Sequence, residues 1–295
     1  MLAVLGGLAR SLRPHQWVKN VLLFAALVFA RRLGDHDAVV HALAGFALFC
    51  LLSSGIYLVN DVIDRHQDRL HPRKRHRPIA SGLVPVPLAL GTAALLFAAG
   101  LAGASLLSTG FLVVAALYVG ASLAYCLGIK RIVILDVMVL ASGYPLRAVA
   151  GAEAIGVSFS NWLLLCTSLL ALFLGFCKRR QELTSLGEDA SEHRAVLAAY
   201  SVPFLDQMIA VVTASTVVAY TFYAFSPEVA AKLGTDKLGL TIPFVIYGIF
   251  RYFYLVHMRG EGGRPARELV RDVPLLVNSV LYGLTVLLVL YHGVP

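Results

Sequence analysis

Apolar residues run along this chain in long blocks, each about the length a helix needs to cross a bilayer, which is about 20 mostly apolar residues. Scanned with that ruler, the sequence predicts nine helices, near residues 16–33, 38–60, 84–107, 109–127, 132–152, 160–177, 204–225, 239–258 and 274–292. Two-residue alternation is absent, so a membrane barrel is not expected. Gly91, Gly100 and Gly103 are placed to let helices pack closely. The polar stretches between blocks are short. The longest, 61–83, 178–203 and 259–273, are the only room for aqueous chemistry, and the densest charge on the chain falls in the first of them, NDVIDRHQDRLHPRKRHRPIASG at 60–82.

Composition agrees with the pattern. The 295 residues are 58% apolar and 14% charged, with a mean hydropathy of +0.76; a soluble domain carries about a quarter charged residues. The expectation is an all-α integral membrane protein, one domain over 1–295. Its basic residues are lopsided. With nine crossings, twenty of the 25 Lys and Arg fall on the side of the N-terminus, among them Arg10, Arg13, Lys19, the 65–77 cluster, Arg73 included, Lys178–Arg180, Arg194, Arg251 and Arg264. Arg31, Arg32, Lys232 and Lys237 fall on the other side, and Arg147 lies inside a span. The positive-inside rule puts the rich side in the cytoplasm, so the net charge of +8 is a matter of topology and lipid headgroups, not nucleic acid. No cleaved signal peptide is expected, because Arg10 and Arg13 follow the short AVLGGLA stretch. Cys50, Cys126, Cys166 and Cys177 read as packing residues, and the nine histidines have no metal-ligand spacing.

On a helix continuing past residue 60, Ser53, Tyr57, Asn60, Asp61, Asp64 and Asp68 fall on one stripe roughly 100° wide. Three carboxylates on one face repel one another. A hard divalent cation relieves that repulsion, and spaced carboxylates that leave room for water suit Mg2+ and the phosphates it carries. Lys74, Arg75 and Arg77 follow directly, as cations that share a diphosphate's charge with a metal. A solvated helix end and a plain topology signal are the blander readings of the same two clusters. Asp136 and Arg147 sit eleven residues apart on one face of the fifth span; Tyr144-Pro145 is a candidate kink, and Trp17 a candidate interfacial anchor.

These residues resemble a known family. N-D-x-x-D-x-x-x-D-R at 60–69 followed by K-R-x-R-P-I-A-S-G at 74–82, with RPHQWVKN at 13–20 and YCLGIKR at 125–131, is similar to the first signature and flanking motifs of the UbiA superfamily of intramembrane prenyltransferases. The resemblance implies helices around a central cavity under a cytoplasmic cap of loops and short helices. The second aspartate motif of that superfamily departs here: FCKRRQEL at 176–183 has three cations and one carboxylate, with Lys178 and Glu182 on one helix face. A decaprenyl-phosphate phosphoribosyltransferase subfamily resembles the chain better, in HPRKRHRPIA, in the run from Leu135-Asp136 to YPLRAVAG, and in the second motif. What that resemblance implies is transfer of 5-phosphoribose from phosphoribosyl diphosphate (PRPP) to a polyprenyl phosphate in a bacterial cytoplasmic membrane, with release of diphosphate, for lipid-linked pentose and cell-wall synthesis. It implies Asp64, Asp68, Lys178 and Glu182 in catalysis. Mg2+ would lie on Asn60, Asp61, Asp64 and Asp68, and substrate on Tyr57, Lys74, Arg75, Arg77, Lys130, Arg131, Arg147, Arg179, Lys19 and Asn20. A prenyltransferase acting on an aromatic acceptor and a membrane transporter are the alternatives.

Overall fold

In a computed structural model of the protein, residues 2–72, 74–186, 195–263 and 265–292 are described. Arg73, Arg194 and Arg264, counted in the charge asymmetry, lie outside the described residues. Every described regular element is helical. In chain order these are α1 (Leu2–Ser11), a 3₁₀ segment (Pro14–Phe24), α2 (Ala25–Phe29), α3 (His36–Ile63), α4 (Arg65–Leu70), α5 (Val86–Leu107), α6 (Thr109–Leu127), α7 (Leu135–Ala154), α8 (Asn161–Leu186), α9 (Val202–Phe225), α10 (Pro227–Leu233), α11 (Ile242–Met258), α12 (Pro265–Arg271) and α13 (Val273–Leu287), with short 3₁₀ or π turns between or after them.

Among the described residues, seven segments are long and apolar enough to cross a membrane: His36–Ile63, Val86–Leu107, Thr109–Leu127, Asn161–Ser185, Val202–Phe225, Lys237–Met258 and Val273–Tyr291. The chain is a multi-pass membrane protein. The other two expected spans differ for reasons visible in the sequence. Residues 16–33 form a 3₁₀ segment and a five-residue helix instead of one α-helix, because polar side chains there are bonded to α3. Residues 132–152 do form a helix, α7, but Asp136, Pro145 and Arg147 lower its apolar character. α7 runs through Pro145 as one helix.

Short polar residues set several helix starts. Asp35 accepts from the Asp37 and Ala38 amides at 3.1 Å each, Ser108 from Phe111 at 3.0 Å, and Asp272 from Leu275 at 3.0 Å. Each satisfies donors that a helix start leaves without intrahelical partners.

The described residues divide into two compact units. The first holds residues up to Leu27 and Arg32–Ser158; the second holds Val28–Arg31 and Phe159 onward. In the first, α5 packs along α3 at small residues: a Cβ on Gly100 would stand 2.5 Å from Leu52 Cδ2, and one on Gly103 2.4 Å from Leu48 Cδ2. Gly91 faces open space, which corrects its expected packing role. α3 and α6 join through Phe49 edge-on to Phe111 at 5.7 Å and against Tyr118 at 5.1 Å. The second unit is centred on Tyr220, Tyr223, Leu238, Val286 and Leu290, with the Tyr220 hydroxyl bonded to Thr241 at 2.7 Å. All four cysteines are buried and free, as their placement in apolar spans requires.

Candidate active site

α3 ends at Ile63, Asp64 makes the turn (φ −83°, ψ 0°), and α4 resumes the helix. The Asp68 amide still donates to the Asp64 carbonyl at 2.8 Å. Asp61 and Asp68, two turns apart, therefore share a face as their spacing requires. Both are buried, at 2% and 3% exposure. Such carboxylates persist only when paired, and one guanidinium pairs with both: Arg77 Nη1 donates to Asp61 Oδ1 at 3.0 Å and to Asp68 Oδ2 at 2.7 Å. Arg13 also donates to Asp61, and Lys130 to Asp64. Cys126 Sγ lies 3.4 Å from Asn60 Oδ1, so the end of α6 is drawn to the same stripe. Three carboxylates thus face three cations, and the cluster is charge-balanced as it stands.

Arg13, counted in the sequence as a topology charge and as the first residue of RPHQWVKN, joins this stripe. Its backbone is left-handed (φ 53°, ψ 59°), a conformation that costs a non-glycine residue energy and recurs at functional sites. From there its guanidinium reaches Asp61 and lies 5.2 Å over the Tyr57 ring. The available signal was its place directly before Pro14 at the head of a polar-rich segment.

A 3₁₀ helix eclipses every third residue, so the Pro14–Phe24 segment presents Trp17, Asn20 and Leu23 on one face. That face runs antiparallel along α3. Trp17 Nε1 donates to Ser54 Oγ at 3.0 Å, and Asn20 Nδ2 approaches Ser53 Oγ at 3.4 Å and Cys50 Sγ at 3.3 Å. Trp17 is therefore a tether to α3. Asn20 Oδ1 in turn accepts from Arg147 Nε at 2.7 Å. The segment's backbone reaches α7 as well, where a Cβ on Gly151 would fall 2.0 Å from the Leu23 carbonyl oxygen.

The structure brings Tyr57, Asn60, Asp61, Asp64, Asp68, Arg77 and Lys130 together, with Asn20 and Arg147 joined to each other on the same unit. Lys19 and Lys74 are half-buried. Arg75 is exposed and donates to His76 at 3.3 Å, and Arg131 is exposed. In the second unit, Arg179 is fully buried and donates to Glu182 Oε2 at 2.6 Å, one turn on. Lys178 precedes Glu182 by four residues on α8. Arg180 points elsewhere, to Asp206, which also accepts from His257 at 3.0 Å.

The stripe's donor set, carboxylate and amide oxygens, suits a hard cation. Among the described residues no three His, Cys, Asp or Glu side chains converge tightly enough to cage one.

Residues 21–268 match the UbiA prenyltransferase family. A Mycobacterium tuberculosis protein named decaprenyl-phosphate phosphoribosyltransferase is 35% identical over 287 residues, 96% of this chain and 94% of its own. A protein of the same name from Mycolicibacterium smegmatis is 34% identical over 278 residues, 91% and 87% of the two chains. Among solved structures, a UbiA homolog from Archaeoglobus fulgidus bound to GPP and Mg2+ superimposes with a TM-score of 0.74 at 20% identity, covering 95% of this chain and 99% of that one.

Proposed function

The chain belongs to the UbiA prenyltransferase family, and within it we propose that this protein transfers 5-phosphoribose from PRPP to a polyprenyl phosphate, releasing diphosphate, with the reaction at the cytoplasmic face of a bacterial inner membrane. The observation that carries this reading is identity of about a third, over nearly the whole of both chains, to proteins named for that transfer. The FCKRRQEL segment supports it. A prenyl diphosphate is anionic at one end, whereas PRPP carries phosphate at both, and a segment with a single carboxylate, itself bonded to Arg179, suits the donor with more phosphate, although Arg180 turns to Asp206.

Asp64 and Asp68, with Asn60 and Asp61, are the residues that would hold Mg2+, which when bound supplies positive charge to the diphosphate leaving group. Arg13, Arg77 and Lys130 now spend their charge on carboxylates. These cations, with Lys74 and Arg75 from the following turn and Arg131, would share the diphosphate's charge with that metal. Tyr57, with Arg13 5.2 Å over its ring, borders this charge, and Lys19 is assigned to the substrate with it. The C1–oxygen bond to diphosphate breaks, and a C1–oxygen bond to the lipid phosphate forms on the opposite face. Positive charge develops at C1 on the way, as in glycosyl transfer generally, and the buried carboxylates favour it. The acceptor is already an anion and needs no strong base. It needs its charge screened on approach, so positioning and neutralisation supply most of the rate. Lys178, Arg179 and Glu182 are assigned to the donor's ribose and phosphate groups.

The test is direct. Purified protein receives a polyprenyl phosphate, Mg2+ and radiolabelled PRPP. Label extracted with the lipid, and lost when a chelator is present, is the expected result; label that stays in the aqueous phase contradicts the reading.

A further inference from the structure

Arg147 is 5% exposed, lies within α7, and cannot shed its charge. Buried charges are ordinarily paired with opposite ones. Yet no carboxylate among the described residues lies within ion-pair distance of it. Its partners are neutral: Asn20 Oδ1 at 2.7 Å from Nε, the Gly143 carbonyl at 2.6 Å from Nη1, and the Tyr118 hydroxyl at 2.7 Å from Nη2. The guanidinium also lies 4.6 Å over the Tyr118 ring. These partners orient the group without neutralising it. Of its five N–H donors three are engaged, leaving one on each terminal nitrogen. Asn20, itself fully buried, is held in turn by Ser53 and Cys50. This is a fixed, desolvated cation with two donors to spare, and an intramembrane charge of that kind marks a ligand or pathway.

We infer that Arg147, oriented by Asn20 and Tyr118, is the receptor for a phosphate monoester, an anion whose geometry, like a carboxylate's, accepts two parallel guanidinium N–H bonds. Two substrates of the proposed reaction carry that group, the 5-phosphate of PRPP and the polyprenyl phosphate, and naming either rests on that reading; the anion receptor itself does not. Ser53 lies eight residues from Asp61 on α3, about 12 Å along the axis. A donor with its diphosphate at the acid stripe would send its other phosphate toward this deeper cation, so the 5-phosphate is the favoured source. A prenyl diphosphate would instead carry an apolar tail past a bare charge, and Arg147 thereby selects between donors.

Calorimetry on the full chain in detergent tests this without turnover. Ribose 5-phosphate and a short prenyl phosphate are titrated separately into wild type and Arg147→Met, which keeps most of the stem and removes the charge. One of the two should bind the wild type about ten- to a hundredfold more tightly than the variant, the range for losing a charged hydrogen bond. Ribose 5-phosphate assigns the donor, and prenyl phosphate the acceptor. Equal affinities in both proteins, or no binding of either ligand to the wild type, overturns the inference. If Arg147→Met does not fold, Gly143→Ala replaces it. Its Cβ would stand 3.0 Å from Nη1 and displace the guanidinium, so the same ligand should weaken, and an unchanged affinity overturns the proposal. Lipid labelling by the wild type tests the overall reaction independently, so the two failures are distinguishable.

Discussion

The acid stripe was legible residue by residue, because a helix face follows from spacing alone. Asp61, Asp64 and Asp68 lie where roughly 100° per residue places them. Their partners were not legible, since Arg13 and Lys130 reach the stripe from 48 and 66 residues away. Asp64 is the informative substitution because its side chain is more exposed than those of its two neighbours (22% against 2% and 4%). Asp64→Asn should abolish Mg2+-dependent transfer while leaving a folded protein, with about 1 kcal/mol lost, since its pair with Lys130 is only partly buried. Activity and thermal unfolding measured on one detergent preparation check both halves. Undiminished turnover in that variant removes the metal from the account.

At the scale of elements, hydropathy located α3, α5, α6, α8, α9, α11 and α13 but could not see that residues 14–24 wind as a 3₁₀ helix. Its signals were weak: Pro14 at the start, and Trp17, Asn20 and Leu23 at a spacing of three. The face they form matters only because α3 offers Ser53 and Ser54 to meet it, which is tertiary information. Gly151 makes this contact testable. With the Leu23 carbonyl 2.0 Å from its missing Cβ, Gly151→Val has no room and must push backbone aside. It should cost about 1–3 kcal/mol, seen as a lower unfolding temperature, whereas Gly91→Ala, facing open space, should cost far less. Equal stabilities would contradict the close packing.

The second unit has its own brace. Arg251 donates to Asp272 at 3.0 and 2.8 Å, tying α11 to the start of α13. That guanidinium holds the Asp272 carboxyl below the usual carboxylate range, against the opposing effect of burial. A carboxylate depressed on folding contributes stability that is fully present above its unfolded value, about 3.9, and is lost as pH falls through the folded value. Unfolding temperature in detergent should therefore decline in that acid window. Asp272→Asn should begin lower and decline less, and parallel curves for the two proteins would refute the linkage.

Over the whole molecule, composition pointed to the membrane and charge asymmetry predicts an orientation, neither of which needs tertiary detail. Two of the nine expected crossings nevertheless fall outside the plain hydropathy pattern, because Asn20 and Arg147 sit in them. The features that blurred the span count are thus the ones that build the deeper cation site. Orientation is open to thiol labelling, helped by the burial of every native cysteine. With the N-terminus cytoplasmic and nine crossings, Asp236→Cys should react with an impermeant reagent on intact cells, and Ser81→Cys only after permeabilisation. The reverse pattern would invert the topology and move the acid stripe to the wrong side for a cytoplasmic donor.

The most direct test of the central claim is a donor competition. Purified protein is given PRPP, a prenyl diphosphate, a polyprenyl phosphate, an aromatic acid and Mg2+ in one vessel, and the lipid products are weighed by mass spectrometry. The account predicts a polyprenyl phosphate heavier by one phosphoribosyl group and no prenylated aromatic acid. A prenylated aromatic product without the phosphoribosylated lipid would contradict it and return the chain to transfer of prenyl groups.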